Sequence, residues 1–487
     1  MAVGVETSKR FVTNVLGTVA GFLGTLYFTR ELGFAGVGTY AVFVSLQMVA
    51  GSLATFGVFA VLTKRVSEGR DQAAYFTTGA LLVGVGTAAV AAVAVALRDT
   101  INAVVGVDVA LLVPAGVLSW GLFRLSGAFL EGKQRVALAG ALDSGRHAVV
   151  VPIQAALVLE GYGVHGLVYG LVAGQTLTFL VSYLGYARVV PNPPTPDAVR
   201  DFLGYSKYAY VQVVADQLFK HADYVILGAF AGAGPTGVYK NAFQITEAST
   251  LFASALSKVS FPKFSELTEA GDDAEIARLF AALFTYGGLV AIPVAAGGTI
   301  VGNDLLLTLY GESPGTTTLP LIGVVGLANA LVPLLATANL LNSYRTSLER
   351  FSLGTDNPRL YAASGVVLVA AYAVTAIPLT IAYDAWGVAI ATVLAFGASV
   401  TANLVLLDER IPLGALRDVG VELLAALLMT AIVAIVVDAL GAAHGALRLG
   451  FVLAIGATTY FAVLLALSER VRVDARAVAS DLLTDVR

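Results

Sequence analysis

Long apolar runs alternate along the chain with short polar breaks. Runs of about 20 residues span the roughly 30 Å hydrocarbon core of a bilayer as helices. The pattern predicts fourteen crossings, near 11–29, 38–61, 74–97, 109–130, 137–159, 164–187, 206–229, 238–261, 279–301, 317–341, 360–382, 386–407, 419–439 and 446–467. The expected fold class is therefore an all-α polytopic membrane protein of about 14 transmembrane helices, with no soluble domain between them. The longest polar stretches are 188–205, 262–278, 342–359 and the tail from Ser468. Pro152, Pro293, Pro333 and Pro378 fall inside the predicted crossings, where a missing N–H favours a kink.

Composition agrees with the pattern: 57% of residues are hydrophobic and only 13% charged, against about 25% in soluble domains. No cysteine is present, which excludes disulfides and thiolate metal sites, and four scattered histidines argue against a histidine-built one. No cofactor and no nucleic-acid partner are expected. The polar stretch Met1–Arg10 and the run after it read as an uncleaved first helix. Placing the N-terminus in the cytoplasm puts 23 of the 29 Lys and Arg residues on inner loops and ends, and four (Arg30, Arg98, Lys240, Arg448) outside. Arg124 and Lys220 are left at membrane depth. That asymmetry predicts a multi-pass protein of the cell membrane with both termini cytoplasmic.

Proline density marks 191–205 as a stiff linker, Pro191-Asn192-Pro193-Pro194-Thr195-Pro196-Asp197 followed by a short amphipathic helix that Asp197 can cap. Six crossings precede it, and the six directly after it read as a weak repeat of them. Gly38-Thr39-Tyr40 opens the second crossing as Gly237-Val238-Tyr239 opens the eighth. Tyr162-Gly163-Val164-His165-Gly166 opens the sixth as Tyr383-Asp384-Ala385-Trp386-Gly387 opens the twelfth, at an offset longer by one loop's worth of insertion. The expected organisation is a six-helix lobe (1–190), the linker (191–205), a second six-helix lobe (206–410) in parallel repeat, and two additional C-terminal helices with a tail (411–487).

With those elements in place, the chain resembles the polysaccharide and lipid-linked oligosaccharide flippases of the multidrug, oligosaccharidyl-lipid and polysaccharide exporter superfamily. Arg30-Glu31-Leu32-Gly33 through Gly38-Thr39-Tyr40 is similar to that family's first outer turn, and Asp223-Tyr224-Val225-Ile226-Leu227-Gly228 to its seventh crossing. Phe261-Pro262-Lys263-Phe264-Ser265, then Gly271-Asp272, resembles the exit of its eighth. The resemblance covers most of 8–410 and implies two lobes around a central cavity, alternating access, and no ATP hydrolysis. The absence of a GxxxxGK[ST] phosphate loop agrees.

A flippase must carry a phosphate or pyrophosphate through a low-dielectric region, which demands fixed cations or dense donors. Arginine suits phosphate through its bidentate fork and lysine as a point charge. Candidate substrate-binding residues are Arg124, about 10 Å deep in the fourth crossing at 1.5 Å per residue, and Arg146, beside Asp143 and His147. Lys220, Lys240, Asn14 and Gln47 complete the set. Snorkelling, interfacial anchoring, ion pairing and interhelical hydrogen bonding are the competing structural roles. Asp216, Lys220 and Asp223 share one helix face at i, i+4 and i+7, and Lys240, Gln244 and Glu247 repeat the spacing. Asp216, Asp223 and Glu247 are candidates for coupling transport to a proton or sodium ion. The offset that carries Gly38 onto Gly237 also sets Lys220 opposite Gly21 and Asp223 opposite Gly24. A cavity with one charged wall and one small-residue wall would require that arrangement.

The expected function is flipping of a lipid-linked oligosaccharide from the cytoplasmic to the outer leaflet, by a transporter and not an enzyme. Its partners are that glycan and membrane lipids. The alternatives are a multidrug cation exporter of the same fold, or a polyprenyl-linked glycan polymerase or glycosyltransferase. Short outer loops argue against the enzymes. Candidate charges balance, Arg124, Arg146, Lys220 and Lys240 against Asp143, Asp216, Asp223 and Glu247, and so leave the exporter open.

Overall fold

A backbone in hydrocarbon finds no water for its N–H and C=O groups, so an apolar run must satisfy them within itself as a helix. The computed structural model describes residues 2–320, 322–354, 358–406, 413–440 and 445–473. Side chains are described there except at 2–16, 205–213, 215–216, 251–252, 254–256, 258–259, 261–262, 273, 353–354, 358–361 and 413–416. The chain divides into two compact units, residues 1–237 and 238–487. The first holds α1 (Ala2–Thr55), α2 (Val58–Ser67), α3 (Gln72–Ala96), α4 (Arg98–Val105), α5 (Val113–Gly132), α6 (Val136–Leu159), α7 (Gly163–Leu180) and α8 (Pro196–Phe230). α9 (Ala233–Ala248) straddles the boundary. The second holds α10 (Leu251–Ala270), α11 (Asp273–Tyr310), α12 (Leu327–Gly354), α13 (Pro358–Leu406), α14 (Leu413–Leu440) and α15 (Ala446–Leu467).

Among the described residues, nine helical runs are long and apolar enough to cross a membrane. Two of them are broken, at Gly33 in α1 and at Tyr383–Asp384 in α13. Counting each side of a break, and adding α8, the α9–α10 pair and α12, is consistent with the expected fourteen. The second crossing bends at Phe56 and Gly57, both at positive φ, before α2 completes it.

Three local expectations need correction. The tenth crossing starts at Leu327 and not at 317. Thr316–Leu319 (β1) instead pairs with Gly323–Gly326 (β2) as an antiparallel ribbon, with Thr316 opposite Gly326. A β-branched threonine run between positive-φ Gly315 and Gly323 favours that extended pairing over a helix. The helix after the linker is capped by Thr195, whose hydroxyl accepts from the Ala198 amide at 3.2 Å; Asp197 lies in its first turn. That helix also runs unbroken from Pro196 into the seventh crossing. α8 lies against α1 and packs with the first seven helices.

Positions related by the two motif offsets share a sign of φ. Gly33 (φ 70) and Gly232 (φ 85), related by the offset of the first pair of motifs, both have positive φ. Gly163 (φ 56) and Asp384 (φ 50), related by the offset of the second pair, do the same. The helix openings after Gly33 and Gly232 also meet each other. A methyl group on Gly38 would overlap the Ala233 carbonyl, and one on Gly237 would overlap the Phe34 carbonyl. The first offset also carries Phe34 onto Ala233, so the contact is reciprocal, as across a two-fold axis. Only glycine permits this approach.

A cluster of Tyr75, Phe76, Phe129 and Phe202 forms the core where α3, α5 and α8 converge. Beside it Asp201 fastens the start of α8 to the α2–α3 turn. It accepts from the Tyr75 hydroxyl at 2.5 Å and pairs with Arg65 Nε at 3.0 Å and Arg70 Nη1 at 3.2 Å. Arg65 also donates to Glu68 at 2.8 Å, and that bond holds the Glu68 carboxyl below the usual glutamate range.

Two outcomes are expected. Gly38→Ala should cost roughly 1–3 kcal/mol of overpacking and lower the melting temperature of the purified protein. Gly84→Ala, a helical site with open space around it, should leave it unchanged or raise it slightly. Since Glu68 binds its proton more weakly folded than unfolded, its contribution is complete above the ordinary glutamate range. It is lost only as pH falls through the lowered value. Limited proteolysis at 188–205 should therefore stay slow at neutral pH and accelerate in acid, whereas Asp201→Ala should accelerate it at both.

Candidate functional site

Between α5 and α6, lined in part by Gly127, Ala139 and Gly140, lies a polar cavity of about 240 Å³. Arg124, Glu131, Asp143, Phe123 and Ser182 contribute to its lining. Ser182 enters from a π-helical extension of α7, Val181–Ala187, and shares a 2.8 Å hydrogen bond with Ser126. A wider helix there turns the serine toward α5, and such π segments recur at functional sites. At about 30 Å³ per water, the volume equals roughly eight waters.

The Arg124 guanidinium lies over the Phe59 ring, 5.9 Å from its centre, and that of Arg146 over Phe123, also at 5.9 Å. Arg146 Nε is buried without a hydrogen-bond partner. Arg146 feels repulsion from Arg124 and attraction from Asp143, with the neutral Tyr40 hydroxyl also nearby, so the two arginines belong to one electrostatic cluster. Tyr40 is fixed in turn by Gln154, whose amide donates to the tyrosine oxygen at 2.8 Å. Among the described residues neither arginine takes part in an ion pair.

Arg345 follows Arg124 by the same offset that separates Tyr383 from Tyr162 in the second pair of motifs. Its guanidinium also lies over a ring, Phe396, at 5.6 Å. Unlike Arg124 it is neutralised: Nη1 donates to the buried Glu349 at 2.6 Å, and Asn342 accepts at 3.0 Å. Ser364 donates to the same glutamate oxygen at 3.2 Å. Where the second repeat has Glu349, the first has Ala128 at the equivalent place. One copy of the repeated arginine is thus locked by the residue at i+4, and the other faces a cavity.

The remaining candidates are dispersed. Gln47 is fully buried; its amide donates to the Gly116 carbonyl at 3.0 Å and to Gln175 at 3.2 Å, and Ser119 joins at 2.9 Å. It lies in an interhelical hydrogen-bond network and not in the arginine cavity. Lys220 is exposed on α8 and Asp223 half-buried one turn further, while His221 between them lies 3.3 Å from Ser45 of α1. Gly17, Gly21 and Gly24 pack on Ser144, His147 and Val151 of α6. Close helix packing accounts for those small residues, and they do not form a wall facing Lys220. In the second unit Lys240 is half-buried and attracted to the exposed Glu247 on the same helix. The side chains of Asn14 and Asp216 lie outside the described residues.

Glu131 and the Arg345–Glu349 pair escape the sequence reading. Glu131 stands at i+7 from Arg124, on the same helix face, which signals its place. Arg345 and Glu349 fall in a stretch whose composition reads as a polar loop.

Comparison with known proteins gives a consistent set of relatives. A family model described as "Polysaccharide biosynthesis protein" matches residues 28–313. The chain is 26% identical over 475 residues to "Probable flippase AglR" of Haloferax volcanii, covering 96% of both. It is 24% identical over 391 residues to "Probable low-salt glycan biosynthesis flippase Agl15" of the same organism, covering 80% of each. In fold it is similar to the lipid II flippase MurJ in an inward closed conformation, with a TM-score of 0.75 at 14% identity, over 94% of this chain and 98% of that one. It is also similar to an inward-facing multidrug resistance MATE family transporter, with a TM-score of 0.61 at 13% identity, over 85% and 98%. By its sequence the chain belongs to the polysaccharide biosynthesis protein family, and its polytopic helical fold is the one shared by MurJ and the MATE transporter.

Proposed function

We propose that this protein is a flippase that moves a lipid-linked oligosaccharide, on a polyprenyl or dolichyl phosphate or pyrophosphate, from the cytoplasmic to the outer leaflet. Family membership and the two flippase-named relatives support a transporter of glycan biosynthesis rather than an enzyme. The observation that carries the substrate chemistry is Arg124. A guanidinium at membrane depth is costly unless it is paired or used, and the repeat shows what pairing looks like at Arg345. In this reading Arg124 exchanges its solvation for bidentate contacts to a phosphate, with Arg146 as a second cation in the same cluster. The cavity volume suits a phosphate or pyrophosphate head and not the sugars, so the glycan follows through a path opened later in the cycle. Lys220, Lys240 and Asn14 are proposed to line that path, with Gln47 becoming accessible only as the helices part. Asp216, Asp223 and Glu247 are proposed ion-coupling groups, and two repeated six-helix lobes are proposed to rock about the site in alternating access.

The arginines should separate experimentally. Arg124→Ala is expected to keep wild-type protein level and melting temperature yet leave lipid-linked glycans on the cytoplasmic leaflet, measured by surface glycan and leaflet distribution in a deletion strain. Arg345→Ala strands a buried carboxylate and should cost about 3–5 kcal/mol of stability, which Arg345→Leu combined with Glu349→Leu should largely restore. Normal surface glycosylation with Arg124→Ala would sink the phosphate assignment. Unaltered glycans together with lost drug resistance in the deletion strain would point to a multidrug exporter.

A further inference from the structure

α14 and α15 lie outside the repeated lobes, yet α14 carries a buried acid that the arginine cluster does not use. Glu422 is fully buried, and neither carboxyl oxygen has a hydrogen-bond partner among the described residues. One oxygen presses against the backbone of α11, where it occupies the space a Cβ on Gly288 would take. Tyr344 of α12 and Tyr460 of α15 lie within electrostatic reach of it. The Tyr344 hydroxyl is engaged, donating to the Phe284 carbonyl at 3.1 Å. The Tyr460 hydroxyl is fully buried and, like Glu422, without a partner among the described residues.

The charged groups around this point are accounted for. Asp418, one turn before Glu422 on α14, accepts from Thr285 of α11 at 3.1 Å and faces Arg470 at 3.7 Å. Arg470, beyond the end of α15, is thereby engaged by Asp418, whose negative charge also repels a charged Glu422. Among the described residues no cation remains for Glu422. A carboxylate so placed has neither solvent nor donor nor counter-charge, and the usual resolution is to bind a proton. A metal ion would need several oxygen ligands and a cavity. Glycine backbone fills the space instead, and no group of metal-ligating side chains is present among the described residues.

We propose that Glu422 is a proton-binding site built into the C-terminal helix pair, loaded in the conformation described and discharged when α14 moves away from α11. Its coupling to transport rests on the flippase reading; its proton binding does not.

The test uses the full chain in lipid nanodiscs, treated at neutral pH with dicyclohexylcarbodiimide, which modifies protonated carboxyls in apolar surroundings. Mass spectrometry should find the adduct on Glu422, absent from Glu422→Gln and undiminished by excess sodium. No adduct on Glu422 would overturn proton binding, and protection by sodium would replace the proton by a metal ion. Glu422→Gln keeps the shape and neutrality of the loaded acid, so it should melt with the wild type. A melt well below wild type would mean a charged, paired glutamate and also overturn the assignment. In proteoliposomes, an imposed pH gradient should speed movement of a polyprenyl-phosphate disaccharide severalfold in the wild type, and not in Glu422→Gln. An equal response in both would overturn the coupling. If the wild type moves no glycolipid at all, the flippase reading fails, while the labelling still decides whether Glu422 holds a proton.

Discussion

An uncompensated charge inside a membrane protein costs several kilocalories per mole, and the buried ionisable residues of this chain answer the cost in different ways. Arg345 answers it by an ion pair with Glu349, supplemented by Asn342, Ser364 and the face of Phe396. Asp418 answers it with Thr285 and Arg470. Arg124 has an aromatic face and a polar cavity but no ion pair among the described residues. Arg345 follows Arg124 by the offset that separates Tyr383 from Tyr162, and it has the ion pair that Arg124 lacks among the described residues. At i+4 the residue is alanine after Arg124 and glutamate after Arg345.

The first motif offset also relates backbone positions. Glycines 33 and 232 both have positive φ, and the reciprocal contacts of Gly38 with Ala233 and Gly237 with Phe34 bring the two helix openings to backbone distance. Both contacts join α1 to the start of α9.

The crossings are legible because hydropathy averaged over the length of a membrane span is scarcely disturbed by single residues. For the same reason it fails at three points. Thr316–Thr318 raises no barrier to extending an apolar run, and only the flanking glycines signal a ribbon. Glu422 vanishes in a run of leucine, alanine and valine, although a lone acid there is the more informative residue. Arg345 stands at the repeat offset but in a stretch that looks like a loop, which hides its equivalence to Arg124. Asp197 is a reasonable cap by residue type, yet Thr195 precedes Pro196, and proline at the first helical position puts the cap one residue before it. Among the candidate residues, Arg124 and Arg146 are singled out by depth and charge, whereas burial of Gln47 depends on its partners Gln175 and Ser119, which are distant in sequence.

The central claim is that an unneutralised arginine in the first repeat recognises the phosphate of a glycolipid. Its most direct measurement is movement of paired fluorescent lipids across reconstituted proteoliposomes, one a polyprenyl-phosphate disaccharide and the other a neutral diglycosyl lipid with the same sugars. The account predicts that the protein moves the phosphate-bearing lipid and discriminates against the neutral one, and that Arg124→Leu removes the discrimination. Equal movement of both lipids by the wild type, or discrimination that survives the loss of Arg124, would contradict it.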